Sequence, residues 1–112
     1  MKTIGDKAES KAAKYLRRKG YIIVDRNWKT RACEIDIIAK KKSAIHFVEV
    51  KYRSKAQHGS GFDYINSAKV AQMQYAAEYW VSANNWEGEY YLSAVELSGD
   101  KFKVDGFVEV FI

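Results

Sequence analysis

Glu34-Ile35-Asp36-Ile37-Ile38-Ala39 and, beyond Lys40-Lys41-Lys42-Ser43, Ile45-His46-Phe47-Val48-Glu49-Val50-Lys51 read as two consecutive strands. Side chains alternate along a strand, so Glu49 and Lys51 project from one face. The polar break between the runs has the makings of a hairpin turn, which sets Asp36 alongside Glu49. Carboxylates among isoleucines and valines need a compensating partner, because burying an unpaired charge is very unfavourable. A divalent cation with a lysine beside it compensates both acids. That combination suits the cutting of phosphodiester bonds.

Outward from this pair, the chain reads as a small α/β protein. A helix is predicted from Thr3 to Lys19, with Thr3 as its cap, Asp6 in its first turn, and Arg17-Arg18-Lys19 in its last. Ala8, Ala12, Tyr15 and Leu16 make its apolar stripe, and Gly20 suits a left-handed stop. Tyr21-Ile22-Ile23-Val24 is a first strand, continued outward by Asp25-Arg26-Asn27-Trp28. Ser54 to Gly61 is a polar loop just past Lys51. A second helix is expected from about Asp63 to Ser82, burying Val70, Met73, Ala77 and Trp80 and ended by Asn84-Asn85. Glu89 to Leu97 is a fourth strand. Ser98-Gly99-Asp100 is then a turn, with two short strands around Asp105-Gly106. The order is αβββαβ plus a small C-terminal hairpin, with residues 1–112 as one domain.

Nineteen Lys and Arg against fourteen Asp and Glu leave a charge of +5, a balance that favours a polyanionic partner. Cys33 is the only cysteine, which excludes an internal disulfide and a Cys-rich zinc site; it reads as a small hydrophobe beside Glu34. The opening residues lack the apolar stretch of a signal peptide, and no apolar run nears the roughly 18 residues needed to span a bilayer. A cytoplasmic protein with no membrane partner is the expectation.

Asp36 and Glu49 can hold Mg²⁺ or Mn²⁺ through hard oxygen ligands, with the Val50 carbonyl as a further donor between them. Lys51 can orient a water or neutralise charge developing on phosphorus. Glu9, at the edge of the first helix's apolar stripe, can face the sheet as an additional acid. The plain alternative makes Glu49 and Lys51 a surface ion pair worth about 0–1 kcal/mol. Glu34 reads as a solvated strand residue. His46, on the face opposite Glu49, reads as a core or partner-facing histidine. Phosphate contacts are expected from Arg17, Arg18, Arg31, Arg53, Lys55 and Lys69.

In order along the chain stand Gly5-x-x-Ala8-Glu9, Gly20-Tyr21, Arg26-Asn27-Trp28, Glu34-Ile35-Asp36-Ile37-Ile38-Ala39 and Phe47-Val48-Glu49-Val50-Lys51-x-Arg53. This series resembles the bacterial YraN-like family, uncharacterised proteins similar to Holliday junction resolvases within the restriction-endonuclease-like, PD-(D/E)XK superfamily. The resemblance runs from about Gly5 to Trp80, with Lys69 and Ala76-Ala77 matching the family's second helix. It implies a restriction-endonuclease-like core with Asp36, Glu49 and Lys51 as the site and Glu9 as the helix acid. Cys33 stands where the family has glycine, and the basic run usual around Lys69 is absent.

The expected function is therefore a metal-dependent, resolvase-like nuclease on DNA, with Mg²⁺ or Mn²⁺ as cofactor and a second copy or another protein as a further partner. The other reading is a non-catalytic nucleic-acid-binding or protein-interaction module on the same fold.

Overall fold

Helix α1 (Ile4–Arg18) begins where Thr3 and Asp6 cap each other. The Thr3 hydroxyl accepts from the Asp6 N–H at 3.0 Å, and the Asp6 carboxylate accepts from the Thr3 N–H at 3.1 Å. It ends as cleanly. Gly20 takes φ +94°, its N–H donates to the Arg17 carbonyl at 3.0 Å, and the Tyr21 N–H donates to Leu16 at 3.0 Å. These are the two closing bonds of a Schellman stop, which requires a left-handed residue there.

The computed structural model describes residues 2–54 and 61–110. Within them, β1 (Ile22–Lys29), β2 (Glu34–Lys41), β3 (Ala44–Arg53), β4 (Glu89–Ser98) and β5 (Lys103–Val110) form one sheet in sequential order. All neighbours are antiparallel except β3 and β4, which run parallel. Helix α2 (Ser67–Ala83) makes the crossover that a parallel pair requires. Among the described residues no helix is long and apolar enough to cross a membrane.

The helices cover opposite faces of the sheet. Ala8, Ala12, Ala13 and Leu16 of α1 pack on Ile37, Ala39, Val48, Val95 and Leu97. On the other face Met73, Ala76, Ala77 and Trp80 of α2 pack on Ile38, Ile45, Phe47 and Leu92. The mixed sheet between two main helices, closed by a C-terminal hairpin, is the expected architecture.

Four local expectations are corrected. The second helix starts at Ser67 rather than near Asp63, because the Asn66 side chain accepts from the Lys69 N–H at 2.9 Å and caps it there. Asp63 belongs instead to a single 3₁₀ turn, Phe62–Tyr64, and Val70 is only half-buried while Ala76 takes its place in the core. The C-terminal hairpin is made by β4 and β5, so Asp105-Gly106 lie within one strand rather than between two short ones. Gly106 faces Phe62, where an added Cβ would come within 3.0 Å of the ring. Between β2 and β3 the turn is the pair Lys42-Ser43, with Lys42 at φ +56° and Lys41 still paired to Ala44.

Candidate active site

The β2–β3 ladder ends at the pair Ile37 and Val48. Asp36 and Glu49 stand one residue beyond it, where the strands no longer share hydrogen bonds and side chains can occupy the opening. The Asp36 Oδ2 accepts from the Val50 N–H at 2.8 Å, filling the position a ladder bond would otherwise take. In an extended strand the N–H and carbonyl of one residue face the same neighbour. The Val50 carbonyl therefore opens toward β2 as well, on the side of Asp36.

Asp36 is half-buried beside other acids, and this decides its protonation. Burial first, then the charge of Glu49, pushes its pKa up to about 7, with Glu9 and Glu34 adding to the rise and the Val50 N–H opposing it. Glu49 is held differently: its Oε1 lies 2.8 Å from the Lys69 ammonium on α2. Asp36 and Glu49 open together into a cleft of about 430 Å³ bordered by Lys29, Arg31, Lys69 and Tyr75. On the α1 side Asp36 also meets a smaller hollow of about 220 Å³, shared with Glu9, Val50 and Tyr52.

Glu9 does face the sheet, as expected, and is almost fully buried. It is held by Arg26, whose Nε lies 3.0 Å from Glu9 Oε1 while its Nη2 donates to Ser10 Oγ at 3.0 Å. Lys51 lies on the same strand face as Glu49 with its ammonium 5.5 Å from the centre of the Tyr64 ring, and the Arg53 guanidinium lies 5.8 Å from that ring. The Tyr64 hydroxyl is buried with no hydrogen-bond partner among the described residues, and burial, then Glu49 and Glu96, raise its pKa.

The expected phosphate contacts scatter. Arg31 is exposed at the cleft mouth and Lys69 is inside it. Arg53 is turned inward: its Nε lies 3.2 Å from Glu96 and its Nη2 donates to the Gly61 carbonyl at 3.1 Å. Arg17 and Arg18 are exposed at the far end of α1, about 12 Å along the helix axis from Glu9. Lys55 lies outside the described residues. Cys33 is half-buried in the β1–β2 turn, 3.4 Å from Thr30 Oγ1, and lines the cleft. His46 sits on the other face between Tyr21 and Tyr91, at ring distances of 5.0 and 5.2 Å.

Several neighbours of the site went unread in the sequence. Glu96 is a buried acid inside the apolar run Leu92 to Leu97, the very signal that singled out Asp36 and Glu49, yet its partner Arg53 emerges only from a diagonal side-chain contact between β3 and β4. Arg26, Tyr64, Lys29 and Tyr75 reach the site through tertiary packing.

As a cation site this is an open one. Among the described residues no group of three or more His, Cys, Asp and Glu side chains is arranged to hold a metal. Asp36 and Glu49 nevertheless fit Mg²⁺ or Mn²⁺. Such ions take one or two carboxylates and keep several waters; Asp36 and Glu49 both line the open cleft, whereas Val50 lines the smaller hollow on the other side of Asp36.

Residues 8–104 match the model of the uncharacterised protein family UPF0102. The chain belongs to this family. The UPF0102 match reaches into β5, well past Trp80, where the residues alone carried little resemblance. A UPF0102 protein of Flavobacterium psychrophilum is 34% identical over 110 residues, covering 96% of this chain and 92% of its own. Another, from Shewanella baltica, is 33% identical over 107 residues (94% and 99%), and a third, from Alkaliphilus oremlandii, 34% over 115 (98% and 98%). UPF0102 is the YraN family that the motifs from Gly5 to Arg53 resemble.

Proposed function

We propose that this UPF0102 protein is a metal-dependent nuclease that hydrolyses phosphodiester bonds in DNA, with Asp36, Glu49 and Lys51 as its working groups. The observation that carries this is the placement of two carboxylates just past the end of the β2–β3 ladder, at a cleft whose mouth bears cations. Bound Mg²⁺ or Mn²⁺ supplies electrophilic stabilisation of the phosphate and a more acidic water. Asp36 and Glu49 orient the attacking water; its oxygen bonds to phosphorus and gives up a proton to solvent, while the bond to the leaving sugar oxygen breaks and that oxygen takes a proton from solvent. Lys51 moves off the Tyr64 ring to balance the charge that gathers on the phosphoryl oxygens. Glu9, fixed by Arg26, keeps the floor of the smaller hollow negative behind Asp36.

A specific arrangement supports the second reading, a module that binds nucleic acid without cutting it. Lys69 already neutralises Glu49, and the raised pKa of Asp36 lets it sit protonated, so the acids are accommodated with no cation.

The test is a cleavage panel of linear duplex, single-stranded, flapped and four-way DNA, run with EDTA, Mg²⁺ and Mn²⁺. Products that appear only with metal support the nuclease. Salt-sensitive binding with no product on any substrate supports the module.

A further inference from the structure

On the outer side of α2, next to the cleft, Tyr75 and Tyr79 are 52% and 43% exposed, unusual for large rings on a helix that already buries Met73, Ala77 and Trp80. They stand one turn apart with ring centres 6.4 Å from each other, and Tyr79 lies 5.7 Å from the Trp28 ring at the outer end of β1. The three rings form a continuous track. Its inner end, Tyr75, borders the same cleft as Asp36 and Glu49. Two exposed cations, Lys29 and Arg31, border that cleft from the β1–β2 side; Lys29 also lies 3.9 Å from Glu34.

We propose that this track holds an unpaired nucleic-acid strand, with a base on Tyr75 and its phosphate led by Arg31 into the carboxylate site. The inference rests on the nuclease reading for the destination of that phosphate and names its substrate class: strands with unpaired nucleotides. Charge complementarity selects the occupant. An apolar protein partner would gain nothing from the cations, whereas a polyanion with flat faces uses both them and the rings. Stacking on aromatic side chains is tolerant of sequence and is available only to bases outside a duplex, whose faces are otherwise covered. Because every base has such a face, single-stranded DNA and RNA share this chemistry.

The deciding experiment is fluorescence anisotropy in EDTA, with a labelled mixed-sequence 12-mer as single-stranded DNA, as RNA, and annealed into duplex DNA. The proteins are wild type, Tyr75→Ala, Tyr75→Phe and Arg31→Ala, each checked for its melting temperature. Losing one stacking ring should weaken single-strand binding by about 5- to 100-fold. Tyr75→Phe should restore it, and duplex binding should not change with Tyr75→Ala. A 2′-hydroxyl contact shows as a difference between the DNA and RNA arms, and equal affinities mean that stacking alone reads the strand; either agrees with the proposal. Equal losses on single strand and duplex, or failure of Phe to rescue, overturn it.

Binding here requires no cleavage, so the two claims separate. Ring-dependent binding without metal-dependent products overturns the nuclease alone. Metal-dependent cutting that ignores Tyr75 and prefers continuous duplex overturns the track alone. No binding of any single-stranded probe overturns the track, whatever the cleavage panel shows.

Discussion

The Lys69 ammonium lies 2.8 Å from Glu49 Oε1, so an α2 side chain occupies the position beside a candidate metal ligand. The sequence suggested a phosphate contact for this lysine, and its place makes it a competitor for the cation as well. Glu49 is about three-quarters buried and Lys69 only slightly less, so their attraction is stronger than that of an exposed pair.

Lys69→Ala should therefore bind Mn²⁺ more tightly, by about tenfold, since one positive charge leaves the site. It should at the same time bind DNA more weakly. Titration calorimetry with Mn²⁺ and anisotropy with duplex DNA read the two effects. Weaker Mn²⁺ binding would show that Lys69 organises the site rather than competing for it.

The raised pKa of Asp36 sets a pH dependence of stability. Below its ordinary 3.8 the carboxyl is protonated in both the folded and unfolded chain and contributes no difference. Between there and about 7 the unfolded chain ionises while the folded site resists, so the folded state is increasingly penalised as pH rises. Asp36→Asn keeps an oxygen for the Val50 N–H and removes that penalty. Without metal it should be more stable than wild type at pH 8, by about 1–4 kcal/mol, and equal to it near pH 4. Thermal melts in EDTA across this range decide it; a gap that does not change with pH contradicts the assignment. Added Mg²⁺ should narrow the gap at pH 8 by stabilising wild type alone.

Arg53 behaves as a structural residue in this fold. Its ion pair with Glu96 joins the parallel strands β3 and β4, with side chains only 18% and 9% exposed. Arg53→Ala leaves a buried carboxylate unpaired and should destabilise the protein by about 3 kcal/mol, with Glu96→Gln in the same chain restoring part of the loss. Denaturant melts measure both. An unchanged midpoint in Arg53→Ala would return Arg53 to the set of surface phosphate contacts.

Much of the architecture was legible because local signals agreed. The Thr3 cap with Asp6 in the first turn, the Gly20 stop and the two strands between Glu34 and Lys51 each rest on signals from a few neighbouring residues, and each is present. The start of α2 was misplaced because helical periodicity continues through Asp63, while Asn66 alone decides where the hydrogen bonds begin. Asp36 and Glu49 stood out as acids in apolar strands. Their surroundings did not: the Arg26 clamp on Glu9, the Lys69 contact and the Tyr64 ring under Lys51 join residues from separate elements. Such contacts depend on helix placement over the sheet, which no run of residues encodes by itself.

Single-turnover cleavage of a labelled DNA substrate by wild type, Lys51→Ala and Glu49→Ala, in Mg²⁺ and in Mn²⁺, is the most direct test of the proposed chemistry. Lys51→Ala should keep its fold and its Mn²⁺ affinity while cutting about 10²- to 10⁴-fold more slowly, as expected for loss of a charge-stabilising group. Glu49→Ala should lose both metal binding and cleavage. Cutting by both variants at the wild-type rate would contradict a site built on Asp36, Glu49 and Lys51.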